Sequence, residues 1–265
     1  LTCPVTWEEF YDVTSRLTKK NLQVGVPENQ LIFETILMQN GGSVYAADEK
    51  STALDTNAAV SAFEEWTKLY SDYSVPLYFD SYSRFRSGEM PLLFMSYTFY
   101  SMLTVAAPEI TGLWAMAPMP GRMLNGEFTN VSSSNGTGAI MLKDAKNQQN
   151  CFEFMSWWVG AQAQAQFGNE IESQMGPIAR YNTANKEAFR NMPWSSAEQE
   201  LIMSQWKSAW ATPNPPGCYY ISRSLTNAFR NVVMNNKNPR EMLNRYNTQM
   251  NNEIKRKRNA LDLEA

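Results

Sequence analysis

The segment RSGEMPLLFMSYTFYSML, residues 86–103, constrains the fold more than any other part of the chain. It contains a short apolar run with the length of a buried strand, and Ser96 then stands at an N-cap position before residues with helical spacing. A strand that leads into a helix N-terminus places free backbone N–H groups at the carboxyl edge of a sheet, where α/β proteins bind ligands. Tyr97, Thr98 and Tyr100 follow this strand. We expect either a ligand site with aromatic walls or an ordinary buried strand capped by a helix.

Composition excludes several classes of function. The chain has 265 residues, 43% of them hydrophobic, which is enough for one large domain or two ordinary ones. A net charge of -3 argues against a nucleic-acid partner, because such proteins present a strongly basic surface. No apolar run approaches the roughly 18 residues of a membrane-spanning helix. The chain has no histidine, which excludes Ser-His-Asp and Cys-His nucleophile systems and His-ligated metal sites.

The cysteines do not predict a metal or redox centre. Cys3, Cys151 and Cys218 lie far apart in the sequence, without Cys-x-x-Cys spacing. A disulfide between two of them remains open. We predict no metal ligand and no cofactor.

Hydrophobic periodicity and capping residues predict long helices alternating with short strands. The predicted helices begin near Thr6, Asn29, Asp55, Ser96, Asp144, Ser195 and Asn238. The predicted strands are 22–26, 91–95, 113–117 and 138–142, and residues 121–137 are predicted to form a loop or a crossing between domains. The helix after Asp144 is expected to continue to Phe167 and to end at Gly168. Four tryptophans on apolar helix faces are predicted to be core residues, namely Trp7, Trp66, Trp158 and Trp206.

Four segments, in this order, resemble extracellular solute-binding proteins of the maltose-binding group. The segments are PVTWEEF (4–10), DTNAAVSAFEEWTKLY (55–70), FRSGEMPLLFMSYTFYSML (85–103) and GTGAIMLKDAKNQQNCFEFMSWW (136–158). Members of this group are the ligand-capturing subunits of ATP-binding-cassette (ABC) importers. The tail, residues 213–263, resembles the ending of a Gram-positive branch of oligosaccharide-binding lipoproteins. The order and spacing of the segments carry the resemblance, since no single motif is diagnostic.

The resemblance implies an α/β fold of the periplasmic-binding-protein-like type II, mainly the second lobe with an incomplete first lobe. Residues 1–118 would form the first part of the second lobe, 119–175 a first-lobe segment after the hinge crossing, and 176–265 the closing part of the second lobe. The chain would then be the carboxyl-terminal portion of a longer protein. An incomplete first lobe would leave the inward face of the helix after Asp144 poorly buried.

The resemblance also implies a set of ligand contacts in the cleft between the lobes. Relatives usually carry a stacking tryptophan at the strand-to-helix turn, whereas this chain offers tyrosines there. For some positions a structural role is the alternative, because Asn29 and Gln30 could simply cap a helix and the pair Tyr219–Tyr220 could pack a loop. The implied ligand-binding residues are Glu28, Asn29, Gln30, Tyr97, Thr98, Tyr100, Tyr219, Tyr220 and Arg223.

The function implied by the resemblance is binding without catalysis. The protein would capture an oligosaccharide and deliver it to the membrane permease subunits of an importer. It would be an extracellular bacterial lipoprotein that contacts the membrane only through a lipid anchor outside this sequence, with no nucleic-acid partner and no catalytic residue. Two alternatives remain open: a glycosidase that uses two carboxylates from among Glu28, Asp80 and Glu89, or a non-catalytic interaction domain with a decayed cleft.

Overall fold

Helices dominate the computed structural model, which describes residues 2–263. The described chain has eleven α-helices: α1 (Trp7–Thr18), α2 (Gln30–Gln39), α3 (Asn57–Ser71), α4 (Ser81–Arg86), α5 (Phe99–Ala106), α6 (Gln148–Trp158), α7 (Ala161–Met175), α8 (Lys186–Arg190), α9 (Ser196–Lys207), α10 (Tyr219–Asn235) and α11 (Pro239–Ala260). It has six short strands: β1 (Val24–Gly25), β2 (Leu92–Leu93), β3 (Arg122–Leu124), β4 (Glu127–Thr129), β5 (Ser132–Ser133) and β6 (Ala209–Trp210).

The chain divides into two compact units, and it passes from one to the other four times. The first unit contains the residues up to 94, residues 119–134, and those from 208 onward. The second unit contains residues 95–118 and 135–207. The predicted lobe limits (1–118, 119–175 and 176–265) describe parts of a complete binding protein, and they stay a prediction.

The first unit has a core that joins distant parts of the sequence. Trp7 of α1, Phe33 of α2 and Trp66 of α3 are fully buried there together with Phe229 of α10 and Leu243 of α11. The ring centroids of Trp66 and Phe229 lie 4.2 Å apart. Burial of rings of this size is a main source of stability for such a core. The prediction that Trp7 and Trp66 are core residues is confirmed.

Three small strand pairs accompany these helices. β1 and β2 are parallel, with Val24 opposite Leu92. Gly25 allows this close pairing, because a Cβ atom at that position would lie 2.2 Å from the side chain of Leu93. β5 and β6 are also parallel, and β3 and β4 form an antiparallel hairpin. Parallel strands joined through helices are the connectivity of an α/β protein.

Two buried polar side chains of α2 hold the segments that return to the first unit. The Gln39 carboxamide accepts a hydrogen bond from Trp7 Nε1 (2.7 Å) and donates to the carbonyl oxygens of Pro120 (3.0 Å) and Val131 (2.9 Å). Glu34 Oε2 accepts hydrogen bonds from the hydroxyl groups of Ser133 and Thr212, both at 2.7 Å. Because buried polar groups are costly unless they are paired, these bonds fix both returning segments on α2.

Several predicted helix limits are corrected by the structure. Ser96 does not cap α5, since the cap position is Thr98, which makes no side-chain capping bond. Thr56 rather than Asp55 caps α3, by accepting a hydrogen bond from the Ala59 backbone N–H. Gly168 does not end the helix, since α7 continues through it. The glycine instead allows close packing against Met192, because a Cβ atom at this position would lie 2.6 Å from the Met192 methyl group.

The predicted strands of the middle region are also corrected. Residues 113–117 and 138–142 form no strand in the described chain, and Ile140 is 82% exposed. An apolar run becomes a strand only when a neighbouring strand covers it, and the described residues provide none here. In the predicted loop 121–137, the structure has the β3–β4 hairpin instead. Its turn residues Asn125 and Gly126 both have positive φ angles, 51° and 86°, as an Asn-Gly hairpin turn requires.

Candidate ligand-binding site

Tyr97 and Tyr100, two of the predicted site residues, belong to an aromatic cluster in the second unit. Tyr97 has its ring centroid 6.1 Å from Trp194 and 6.0 Å from Trp206. Tyr100 lies 4.9 Å from Trp194 and 5.2 Å from Trp114. These five residues, which we call the aromatic cluster, come from the start of α5, the segment after it, the turn before α9, and α9 itself. Trp194 is buried, whereas the other four rings are half-buried and keep part of their surface free for a ligand.

Arg180 lies over this cluster as a planar cation. Its guanidinium carbon is 4.5 Å from the centroid of the Trp194 ring and 5.6 Å from that of Tyr100. Glu172 of α7 accepts two hydrogen bonds from Arg180, at 2.9 Å from Nε and 2.6 Å from the terminal nitrogen. The forked geometry neutralises the cation and holds the guanidinium plane against the rings.

Glu198 connects the cluster to the first turn of α9. Its carboxylate accepts hydrogen bonds from the Ser195 backbone N–H (2.9 Å) and hydroxyl (2.7 Å), and the Glu198 backbone N–H donates to the Ser195 hydroxyl, which makes a capping box at the predicted helix start. It also accepts a hydrogen bond from the Tyr100 hydroxyl. Burial raises the pKa of Glu198, but the hydrogen bonds from Tyr100 and Ser195 and the charge of Arg180 outweigh it and hold this pKa below its ordinary value. Burial and the bond to Glu198 raise the pKa of Tyr100, which therefore stays a neutral donor.

Two buried donors in the same region have no acceptor among the described residues. They are the indole N–H of Trp194, a residue that is only 7% exposed, and the hydroxyl of Ser101 on α5. A buried donor without a partner costs about 1–3 kcal/mol. A ligand oxygen that reached Trp194 Nε1 would remove that cost. This arrangement favours a polar ligand with an apolar face that can stack on the rings.

The predicted residues at the start of α2 lie in the first unit and are already partly engaged. Glu28 is nearly buried and forms an ion pair with Arg230 of α10, with Oε1 and Nε 2.9 Å apart. Asn29 caps α2 by accepting a hydrogen bond from the Leu31 backbone N–H (3.1 Å). Gln30 Oε1 is buried and has no hydrogen-bond partner among the described residues. The helix-capping alternative for Asn29 thus has direct structural support, and its role in ligand binding stays a prediction.

The three predicted residues of α10 have different surroundings. The Tyr219 hydroxyl donates a hydrogen bond to Glu253 of α11, which is a packing role. Tyr220 is half-buried against the core of the first unit. Arg223 is exposed and makes no ion pair with the residues that the structure describes. It lies two turns, about 10 Å, from the Arg230 that pairs with Glu28.

The structure thus gathers the predicted residues into separate groups. Tyr97 and Tyr100 share the aromatic cluster, and Thr98 lies between them with its hydroxyl 2.5 Å from that of Ser96. Glu28, Asn29 and Gln30 share one turn of the first unit. Tyr219, Tyr220 and Arg223 share the first turns of α10.

Sequence reasoning missed Trp114, Arg180 and Trp194, and it assigned Trp206 only to the core. Trp206 packs against that unit's small core and also borders Tyr97, so both descriptions apply. One signal was available for Trp194, because it directly precedes the recognisable Ser195 capping box. Arg180 had a weaker signal, a cation that follows the Gly176–Pro177 turn.

The carboxylates considered for a glycosidase all have structural partners. Besides the ion pair of Glu28, Asp80 caps α4 by accepting a hydrogen bond from the Ser83 backbone N–H (3.1 Å), and Glu89 pairs with Arg84 (3.3 Å). Residues 2–263 contain no His/Cys/Asp/Glu group suited to a metal ion. In the same range, no helix combines the length and apolar character needed to cross a membrane.

Comparison with protein families assigns the class of this protein. Residues 2–196 match the family model described as bacterial extracellular solute-binding protein. The chain therefore belongs to the family of bacterial extracellular solute-binding proteins. No curated protein matches the chain.

Solved structures of the same kind share its fold. The sugar-binding protein MalE from Xanthomonas citri is 14% identical with a TM-score of 0.77, over 100% of this chain and 67% of that protein. MalE from Listeria monocytogenes in complex with maltose is 14% identical with a TM-score of 0.71, over 97% and 68%. A solute-binding protein from Thermotoga lettingae bound with α-D-tagatose is 17% identical with a TM-score of 0.68, over 96% and 65%.

The chain spans about two thirds of the length of each of these structures. At such low identity, the likeness identifies the fold alone. The predicted α/β, periplasmic-binding-protein-like fold class is confirmed.

Proposed function

We propose that this chain is the sugar-binding part of the ligand-capturing subunit of an ABC importer. The observation that carries the proposal is the aromatic cluster with the buried, unpartnered indole N–H of Trp194 beside the Arg180 guanidinium. Membership in the extracellular solute-binding family supports capture of a solute outside the cell. The structural neighbours that are bound with tagatose or maltose, or described as sugar-binding, support a sugar as that solute.

The residues of the cluster suit the chemistry of a sugar ring. The C–H face of a pyranose stacks on a tyrosine or tryptophan ring, while its hydroxyl groups need donors and acceptors in fixed directions. In this proposal Tyr97 or Tyr100 provides the stacking face, Trp194 Nε1 donates to a ring or hydroxyl oxygen, and Arg180 orients the ligand. No step breaks a covalent bond, so the protein acts as a binder without catalysis.

The finer assignment comes from the resemblance of the tail to Gram-positive oligosaccharide-binding lipoproteins. In this proposal the chain is the carboxyl-terminal portion of such a lipoprotein, it delivers an oligosaccharide to permease subunits, and it meets the membrane only through a lipid anchor outside this sequence. Glu28, Asn29, Gln30, Tyr219, Tyr220 and Arg223 would contribute further contacts. The upstream codons of the same reading frame provide the test, and a frame without a lipid-modified cysteine would contradict this assignment.

The sugar-binding proposal is tested by nuclear magnetic resonance of the tryptophan indole N–H groups during titration with maltose, maltotriose and cellobiose. We expect the Trp194 indole signal, assigned through Trp194→Phe, to shift with a Kd of about 1 mM or weaker, equivalent to about -4 kcal/mol. Such weak binding is expected because an incomplete first lobe leaves half of the cleft open.

Substitution Trp194→Phe keeps a ring and deletes the donor, so we expect it to weaken binding about 2- to 10-fold. Trp157→Phe is the matched control, since Trp157 is an exposed tryptophan of the same unit, and it should leave affinity unchanged. Absence of any Trp194 shift with all three sugars would overturn the proposal. A Kd in the micromolar range would instead contradict the expectation that the binding cleft is incomplete in this chain.

A further inference from the structure

The first unit contains an open depression of about 310 Å³ that the proposed function does not use. It lies between α1 and α3. Ser61, Glu64 and Lys68 occupy one face of α3, at spacings of three and four residues, and they line the depression together with Tyr11, Glu65 and Tyr73. Its volume is at the lower end of the range of small-molecule sites.

Two stacked aromatic rings, Tyr11 and Tyr73, line the depression, and Trp7 extends this ladder of rings into the core. Trp7 is buried, and its ring stacks on Tyr11 with centroids 6.0 Å apart and an interplanar angle of 29°. Tyr11 stacks in turn on Tyr73, at 4.8 Å and 23°. Tyr73 is the outermost ring and is half-buried. The ladder is anchored in the core, so it holds the Tyr73 ring in a fixed orientation at low entropic cost.

The base of the depression is electrically neutral. Glu65 accepts hydrogen bonds from both terminal nitrogens of Arg122, at 2.7 and 3.0 Å, and from the Tyr11 hydroxyl. Both members of the Arg122–Glu65 pair are less than one fifth exposed. This carboxylate is therefore fully engaged and does not attract a free cation.

The rim, in contrast, has polar groups with open hydrogen-bonding capacity. Glu64 and Lys68 are four residues apart on α3, yet within residues 2–263 neither forms an ion pair. The side-chain hydroxyls of Ser61 and Tyr73 likewise have no hydrogen-bond partner in the described part of the chain. The rim thus offers one carboxylate acceptor, one ammonium donor and two hydroxyl groups next to an aromatic ring.

We propose that this depression is a second binding site, which takes a neutral pyranose ring. The Tyr73 ring packs on the C–H face of the sugar, while Glu64, Lys68 and Ser61 bind its hydroxyl groups. The charges decide the ligand class: Glu64 and Glu65 are balanced by Lys68 and Arg122, so a neutral ligand is favoured over an anion or an organic cation. The site lies in a different unit from the aromatic cluster and shares no residue with it.

The test is a ¹⁵N–¹H titration of the whole chain with methyl α-D-glucopyranoside up to about 100 mM. We expect saturable shifts of the α3 backbone amides at residues 61–68. Substitutions Tyr73→Ala and Glu64→Gln should each weaken these shifts at least about 5-fold. Their matched controls are Tyr78→Ala, an exposed tyrosine elsewhere in the unit, and Glu8→Gln, an exposed carboxylate of α1. The two control variants should show the same α3 shifts as the wild type.

A further variant separates this site from the aromatic cluster. Trp194→Phe should leave the α3 shifts intact, so failure of one site is distinguishable from failure of the other. Absence of α3 shifts, or equal shifts in the Tyr73→Ala variant, would overturn the inference. Shifts with tetramethylammonium chloride at lower concentration than with the sugar would overturn it as well, because they would identify a cation site.

Discussion

At the residue scale, Glu198 shows how one side chain can serve both folding and the candidate site. It completes the capping box with Ser195 and accepts the hydrogen bond of Tyr100. The capping box is readable from the spacing of Ser195 and Glu198 alone, because both partners lie in one helical turn. The bond to Tyr100 is not readable, since the two residues are 98 positions apart and only the tertiary fold brings them together.

The lowered pKa of Glu198 predicts a pH dependence of stability. A carboxyl group with a folded-state pKa below its ordinary value of 4.5 contributes stability that is present above that value and is lost as pH falls through the lowered pKa. We expect Glu198→Gln to reduce the free energy of unfolding at pH 7 and at pH 5.5, with the difference from wild type shrinking progressively below about pH 4.5.

Urea denaturation at several pH values measures this effect. Glu200→Gln is the matched control, because Glu200 is an exposed carboxylate of the same helix, and its difference from wild type should stay small at every pH. A difference for Glu198→Gln that does not change between pH 7 and pH 3 would contradict the assigned hydrogen bonds.

At the element scale, helices were predicted better than strands. The limits of α1 and α11 follow from local signals, since Thr6 and Asn238 cap them and Pro239 occupies the first position of α11. The strands depend on partners elsewhere in the chain, so 138–142 has strand composition but no strand in the described residues. The β3–β4 hairpin has a local signal in the sequence, Asn125–Gly126, which favours a hairpin turn over the predicted loop.

Helix α6 has an apolar face that no other segment within residues 2–263 buries. Phe152, Phe154 and Trp157 are 60%, 62% and 60% exposed, and none of the eleven residues of α6 is buried. The face of this helix that carries Phe152, Met155 and Trp158 is poorly buried, as expected, and Met155 and Trp158 are half-buried, so the prediction of Trp158 as a core residue is only partly met. Contiguous exposed aromatic residues of this kind mark a surface that binds other apolar surface.

We therefore predict that α6 is the main binding surface for the dye 1-anilinonaphthalene-8-sulfonate. The double variant Phe154→Ser/Trp157→Ser should lose most of the dye fluorescence of the folded chain, while its free energy of unfolding stays within about 0.5 kcal/mol of wild type. Tyr78→Ser, which removes an isolated exposed ring, should keep the signal. Unchanged fluorescence in the double variant would show that the dye binds elsewhere.

At the scale of the whole molecule, the first unit is assembled from three separate stretches of sequence. Its core contains Trp7 and Trp66 from the first stretch and Leu243 and Met250 from the last. Helix α11 therefore completes a core whose other residues include Trp7 and Trp66, about 200 positions earlier in the sequence. The first unit is not expected to fold before its last helix is present, since so much of its apolar surface would stay exposed.

Leu243 provides a measure of this closure. It is fully buried in α11, and Leu243→Ala should lower the free energy of unfolding by about 2–5 kcal/mol, because a cavity remains in the core. Leu261→Ala, at the exposed end of the same helix, should change it by less than about 0.5 kcal/mol. Chemical denaturation followed by tryptophan fluorescence compares the two, and equal effects would contradict the closing role of α11.

The sequence by itself determined the solute-binding class, most of the long helices and the caps of α1, α9 and α11. Each of these depends on interactions within a few residues, or on an order of segments that is visible along the chain. Only the tertiary structure decided that Trp114, Arg180 and Trp194 join Tyr97 and Tyr100, and that Gln39 and Glu34 tie the returning segments. The physical reason is that ring stacking, forked ion pairs and buried hydrogen bonds act over a few ångströms in space, whatever the separation in sequence.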